Sequence, residues 1–243
     1  PDNFIVRNDI LDYFVEVEHF DKMVARAIRS LERMGHLDNT ILVVTSDHGM
    51  PFPRAKASLY DAGTHVPLAI RWADGIRKPG RVSESLVNLS DLAPTFLEAA
   101  GISVPKMMIG KALTDIFKDQ NKFNRDAAFI GMERHAGCRE GGKGYPSRAI
   151  RTKDYLYVRN FYPDRWPAGS PERKHCVRHI RYGEVDPSPT KSLMMEDPKY
   201  ANLADLAFGK RPEEELYRLS DDPHQLRNLA YSKELQKIRR QLR

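Results

Sequence analysis

Long apolar runs are missing from this sequence. Its longest aliphatic stretch is Ile41-Leu42-Val43-Val44, far short of the roughly 18 residues that a membrane-spanning helix needs. Cysteine is almost absent. Cys138 and Cys176 are the only two in 243 residues, which excludes a disulfide-rich scaffold and a four-cysteine zinc site. They could form one bridge or remain thiols, and spacing does not choose between these. Blocks of one charge are also lacking. Lys plus Arg is 39 and Asp plus Glu is 33, a formal net charge of +6, yet no run of five basic residues occurs. The pI of about 9.3 therefore reflects interspersed charge, which suits a small anionic substrate better than nucleic acid. The chain opens on Pro1-Asp2-Asn3, with no initiator Met, no basic leader and no apolar signal core, so it is expected to continue a longer polypeptide.

What is present suffices for a folded chain of one or two domains: 41% hydrophobic and 30% charged residues, enough to bury a core. From 10 to 34 the apolar residues recur at steps of three and four (Ile10, Phe14, Val17, Phe20, Val24, Ala27, Ile28, Leu31). That spacing predicts an amphipathic helix, ended by Gly35. Residues 41–45 and 66–72 read as short buried strands of the kind found in parallel sheets. A helix over 91–100 is expected between Ser90 and Gly101. This rhythm argues for an α/β layer architecture.

The second half changes character. A short helix is expected over 112–117 and a strand over 127–132, followed by a hairpin of 147–151 and 155–160 around Thr152-Lys153-Asp154. Residues 163–198 hold six prolines and are expected to be loop. A strand over 215–219 and a basic amphipathic helix over 232–243 complete a small antiparallel sheet with a terminal helix. The division expected is an α/β part, 1–125, and a small α+β part, 126–243.

Ser46-Asp47-His48-Gly49 follows directly on the first strand, and ligands in open α/β sheets bind at the carboxyl ends of strands. Asp47 offers a hard carboxylate and His48 an imidazole nitrogen, next to each other on a turn that Gly49 permits. Pro51-Phe52-Pro53 then stiffens a loop that ends in Arg54-Ala55-Lys56. Two cations close to a candidate metal-ligand pair suit an anionic oxyester.

These residues resemble a known family. Thr45-Ser46-Asp47-His48-Gly49 through Lys56, then Leu59-Tyr60-Asp61-Ala62-Gly63-Thr64 and Val66-Pro67, look like the C-terminal half of a sulfatase of the alkaline-phosphatase superfamily. Pro51-Phe52-Pro53 and Gly144-Tyr145-Pro146-Ser147-Arg148-Ala149 look most like the heparan N-sulfatase (sulfamidase) branch and its bacterial relatives. Glu215-Leu216-Tyr217, Asp221-Asp222-Pro223-His224 and Asn228-Leu229-Ala230 are similar to the family's closing segment.

The resemblance implies an alkaline-phosphatase-like sandwich, with helices around a mostly parallel sheet. It implies hydrolysis of sulfate esters or N-sulfates, on a sulfated sugar, using Ca²⁺ and a formylglycine nucleophile. Asp47 and His48 match metal ligands, Lys56 matches the cation on the sulfate group with Arg54 beside it, and His135 matches a substrate-facing histidine. Neither cysteine lies in a nucleophile motif and the first acidic metal pair is absent. The resemblance therefore implies a C-terminal portion, inactive alone, whose partner is the N-terminal part of the same polypeptide. A periplasmic or secreted location is what the family implies.

Two other readings stand beside this one. A phosphodiester or phosphonate monoester hydrolase of the same superfamily shares Asp-His-Gly, and a non-catalytic module for polyanionic glycans would use only the basic surface. His175 and His179 have a metal-like spacing in a Pro-rich stretch. His65 falls just before the second strand, and the aromatics of 161–166 suit either a sugar face or a small core.

Overall fold

A computed structural model describes residues 1–120, 123 and 125–243. In chain order it contains helix α1 (Phe4–Arg33), strand β1 (Leu42–Thr45), helix α2 (Asp61–Thr64), strand β2 (Leu68–Arg71), helix α3 (Leu92–Ala99) and helix α4 (Thr114–Phe117). Strands β3 (Ala127–Met132), β4 (Ser147–Thr152) and β5 (Tyr155–Asn160) follow, then helices α5 (Pro189–Glu196) and α6 (Ala201–Phe208), strand β6 (Glu214–Arg218) and helix α7 (Gln236–Leu242).

The chain divides into two compact units. One comprises Pro1–His19, Ser46–Val66 and Phe129–Arg243; the other comprises Phe20–Thr45 and Pro67–Ala128. Helix α1 runs through the boundary. Asn3 caps it by accepting a hydrogen bond from the Val6 amide at 3.0 Å, and Gly35 follows it at φ 69°, a left-handed conformation that glycine adopts without penalty. The 3–4 spacing of its apolar residues is real, but Leu11, Phe14, Val17 and Phe20 are exposed in this chain and only Val6 is buried.

In the second unit, β1 and β2 pair antiparallel, Leu42 opposite Arg71 and Thr45 opposite Leu68. Both strands are half-buried. The aliphatic content of these strands pointed to full burial in a parallel sheet. A run of β-branched residues fits either direction of pairing, so direction cannot be read from composition. Helix α3 is entered through a short 3₁₀ turn capped by Asn88, with Asp91 completing a reciprocal capping box. The buried Arg125 guanidinium joins the segments that follow, at 3.1 Å from Asp91 and 2.9 Å from Asp115.

The first unit is organised by the sheet β3-β4-β5-β6. Its strands alternate faces as a period of two requires. Leu156, Val158 and Tyr217 pack on one face with Ala149, Leu59 and Tyr60. Tyr157 and Leu216 pack on the other with Ala230, Leu235 and the residues Ile238 and Leu242 of α7. A third cluster, Ala168, Val185, Met194, Ala207 and Phe208, is built from α5, α6 and the preceding loop. The prolines of 163–198 do not keep the whole stretch irregular: Pro189 opens α5, where its missing N–H costs nothing, and the Ser188 side chain caps it. Helix α6 went unpredicted because it directly follows that proline-rich run.

Cys138 and Cys176 are joined as a disulfide whose loop separation is 38 residues. Both are buried. Beside them the buried Arg139 guanidinium pairs with Glu184 at 2.7 Å and donates to the Trp166 and Pro167 carbonyls. Closing a loop of this size constrains the unfolded chain. Replacing both cysteines with serine is expected to lower unfolding free energy by about 2–4 kcal/mol, read from urea titrations. Thiol alkylation should label neither cysteine before reduction.

Lys191 of α5 is buried, with its ammonium donating to the carbonyls of Tyr182 at 3.0 Å and Val185 at 2.7 Å. Burial, reinforced by Arg178 and opposed by Asp186, pulls its pKa down to about 8. The unfolded chain keeps that proton up to roughly pH 10. Between these values the unfolded state binds more protons, so stability rises with pH. Urea unfolding at pH 7 and 9.5 should show this gain in the natural chain and its loss in Lys191→Met.

Candidate active site

The segment between β1 and β2 carries four of the candidate residues, and local chemistry fixes its shape. The Gly49 amide donates to Gly63 at 3.0 Å, and a side chain at Gly49 would overlap the Ala62 carbonyl. This close approach of two backbones is what Gly49 permits. Beyond it the loop winds tightly. The Ala55 amide bonds to Phe52 and the Lys56 amide to Met50. The Ser58 hydroxyl donates to the Arg54 and Ala55 carbonyls. Arg54 and Ala57 hold positive φ, 65° and 59°, a conformation that costs a non-glycine residue on the order of 1 kcal/mol. The strained turn directs Lys56 and Arg54 to different surroundings.

Arg54 faces inward. Its guanidinium donates to the Leu206 carbonyl at 3.1 Å and the Gln225 carbonyl at 2.5 Å, and lies 3.9 Å from the Tyr60 ring centre. Tyr60 in turn donates to Glu215 at 2.7 Å. Burial, with the Glu215 charge, pushes the Tyr60 phenol up to about 12. Glu215 is itself buried and also accepts from Tyr217 at 2.5 Å and from Asn160 at 2.7 Å. Arg54, Tyr60, Asn160 and Glu215 line a cavity of about 50 Å³ together with Lys56, Tyr145, Ser147 and Arg211.

Lys56, also a lining residue, meets a different partner. Its ammonium is 2.7 Å from Asp186, whose other oxygen is 2.9 Å from Arg178. Burial opposes ionisation of Asp186, but hydrogen bonds from Lys56 and Arg178 outweigh it and hold the carboxyl below the usual carboxylate range. Neither Asp186 nor Arg178 was marked by the sequence. They lie in the proline-rich stretch, where no periodicity or motif announces them.

Asp47 is largely exposed and His48 half-buried, with the Nε2 of His48 3.6 Å from an Asp47 oxygen. His48 Nδ1 is 2.8 Å from the Gly49 carbonyl. A carbonyl can only accept, so Nδ1 carries the proton and donates to it, and Nε2 is the nitrogen turned toward the carboxylate. A neutral imidazole would thus place a lone pair opposite a carboxylate oxygen, an arrangement that a cation between them relieves. Two donors fall short of the 6–8 oxygen-rich ligands that calcium takes. Among the described residues no group of three or more His, Cys, Asp or Glu side chains could hold a metal ion. Among the described residues the turn thus offers a pair of donor groups and no complete cage.

His135 lies on the exposed segment between β3 and Cys138. The Ala136 amide donates to Glu184 at 2.8 Å, and the disulfide ties this segment to the loop that carries Asp186. His175 sits in a single 3₁₀ turn and pairs with Glu172, so the spacing of His175 and His179 is not that of an α-helix. His65 is exposed. Of the aromatics at 161–166, Trp166 packs on Tyr182 while Phe161 and Tyr162 stay exposed.

Residues 5–102 match the family model described as Sulfatase. An ulvan-active sulfatase of Formosa agariphila is 28% identical over 249 residues, covering 100% of this chain and 39% of the relative. The human N-sulphoglucosamine sulphohydrolase is 28% identical over 245 residues, covering 95% of this chain and 45% of the relative. The chain therefore spans less than half the length of these curated relatives. Among solved structures, BT4656 in complex with its substrate D-glucosamine-2-N,6-O-disulfate superposes with a TM-score of 0.65 at 24% identity, over 93% of this chain and 37% of that one. The phosphonate monoester hydrolase of Agrobacterium radiobacter gives a TM-score of 0.61 at 20% identity, over 91% of this chain and 37% of that one; both likenesses speak to fold alone. Residues 5–102 are thus similar to the sulfatase family, and the chain shares the alkaline-phosphatase-like α/β fold of solved sulfatases.

Proposed function

We propose that the polypeptide bearing this chain is a sulfuric ester hydrolase that cleaves sulfate esters or N-sulfates of a sulfated sugar. The observation that carries the reading is the turn of residues 46–58. It presents Asp47, His48 and Lys56 on one strained, internally bonded loop, in a chain whose whole length aligns with sulfatases. The named activities of relatives, an N-sulphoglucosamine sulphohydrolase and an N-acetylglucosamine-6-O-sulfatase, support an amino sugar as the carrier of the sulfate.

In this reading Asp47 and the Nε2 of His48 contribute two ligands to a calcium ion, which when bound polarises the sulfate oxygens. The remaining ligands and a formylglycine nucleophile come from the N-terminal part of the polypeptide. The exposed apolar stripe of α1 is a surface that such a part would cover. Lys56 donates to a sulfuryl oxygen as negative charge grows there, an interaction worth most in the transition state. His135 contacts the sugar or the leaving group. The disulfide favours an oxidising compartment, in keeping with a periplasmic or secreted protein, and no helix among the described residues is long and apolar enough to cross a membrane.

Two measurements on the full-length polypeptide test the assignment. In calorimetry, Asp47→Ala is expected to abolish calcium binding and His48→Asn to retain much of it, since an amide oxygen suits a hard cation; unchanged affinity in both would remove these residues from the metal site. In kinetics on an aryl sulfate or sulfamate, Lys56→Ala should lower kcat by about 10²–10³. Arg54→Ala should act mainly on stability, because its guanidinium is engaged by internal carbonyls and the Tyr60 ring. A larger loss of kcat for Arg54→Ala, or equal small losses, would overturn the role given to Lys56.

A further inference from the structure

We propose that Asp186 is the positioning residue of Lys56, the group that aims its ammonium at the sulfuryl oxygens. This rests on the sulfatase reading above. The two residues are 130 positions apart in sequence, yet Lys56 Nζ meets Asp186 Oδ2 at 2.7 Å, while Arg178 takes Oδ1 at 2.9 Å. Each carboxylate oxygen is thus given to one cation. The Lys56 and Asp186 side chains are only 19% and 24% exposed, so the attraction is screened less than in a surface pair.

An ammonium on four rotatable bonds is a poor transition-state donor until something restricts it. Asp186 supplies that restriction from a firm base. It follows Val185, which is buried in the α5–α6 cluster and whose carbonyl is gripped by Lys191. The Glu184 amide is bonded to Ala168, and the same loop is closed by the disulfide at Cys176. Lys56 has three N–H donors and gives one to Asp186, which leaves donors for a sulfate oxygen.

The charge count favours the same role. Lys56, Arg178 and Lys191 bring three positive charges to the one negative charge of Asp186. Below about pH 8 the cluster keeps a net charge of 3 − 1 = +2, which attracts the single negative charge of a sulfate monoester. Asp186 therefore organises the cations without cancelling the field they present. A neutral residue there would raise the field and lose the aim. That combination separates positioning from simple charge.

The test uses the full-length enzyme, with an aryl sulfate as substrate and inorganic sulfate as inhibitor. Asp186→Asn should lower kcat by about tenfold or more with little change in KM, while inorganic sulfate inhibits more tightly than in the natural enzyme. Asp186→Glu retains the charge and covers the case in which the neutral variant does not fold. It should lower kcat by a smaller factor and leave sulfate inhibition unchanged. In a Lys56→Ala background, adding Asp186→Asn should change kcat less than about twofold, as expected when one residue acts through the other. A normal kcat for both Asp186 variants, beside a large loss for Lys56→Ala, overturns the positioning role and leaves the sulfatase reading standing. A further large drop from Asp186→Asn on top of Lys56→Ala overturns it as well, by showing an independent structural effect. If Lys56→Ala costs nothing, it is the underlying assignment of Lys56 that fails.

Discussion

The carboxylate of Glu215 is the constraint on which the candidate site depends. It is buried on one face of the β-sheet and satisfied by three donors: Asn160 from the neighbouring strand, Tyr217 from its own strand and Tyr60 from the loop that precedes α2. A carboxylate taken out of water is tolerated only when its lone pairs are met, and removing one partner leaves a costly buried group. The sheet therefore does not merely pack against the 54–64 loop; it requires Tyr60 to arrive in one place. Arg54, stacked over the same ring, and the Gln225 side chain, which accepts from the Asp61 amide at 3.1 Å, make that placement narrower still. Lys56 sits within this fixed frame, two residues from Arg54.

From that frame the division of labour between two neighbouring cations follows. Arg and Lys differ in what they can satisfy. A planar guanidinium can serve several carbonyls and an aromatic face at once, which suits Arg54 to the interior. A compact ammonium makes directed contacts one at a time, which suits Lys56 to the Asp186 carboxylate. Positive φ at Arg54 and Ala57 is the local cost of sending these side chains different ways, and strain of this kind persists only where surrounding structure over-determines it.

Much of this was legible in the sequence, for identifiable reasons. The α1 periodicity, the β4–β5 hairpin and the turn residues around Thr152-Lys153-Asp154 are local signals, and local signals survive without tertiary context. Gly35 and Gly101 marked helix ends through the φ they hold, 69° and 70°. The Asp47-His48-Gly49 turn and the Lys56 loop could be placed because strand, glycine and proline punctuate them. What was hidden is what depends on long separations. The antiparallel pairing of β1 with β2, the Cys138–Cys176 bridge and the Lys56–Asp186–Arg178 cluster join residues that no window of sequence brings together. Helices α5 and α6 were masked by prolines that read as breakers, although Pro189 sits where a helix accepts one.

The chemistry of the bond that is cleaved separates a sulfatase from a phosphonate hydrolase and from a glycan-binding module. The direct measurement is release of inorganic sulfate by the full-length polypeptide from N-sulfated and 6-O-sulfated glucosamine, in parallel with hydrolysis of a phosphonate monoester. Sulfate release in excess of phosphonate ester hydrolysis is the result predicted. Preferential turnover of the phosphonate ester, or calcium-independent binding of sulfated sugars without any turnover, would contradict it.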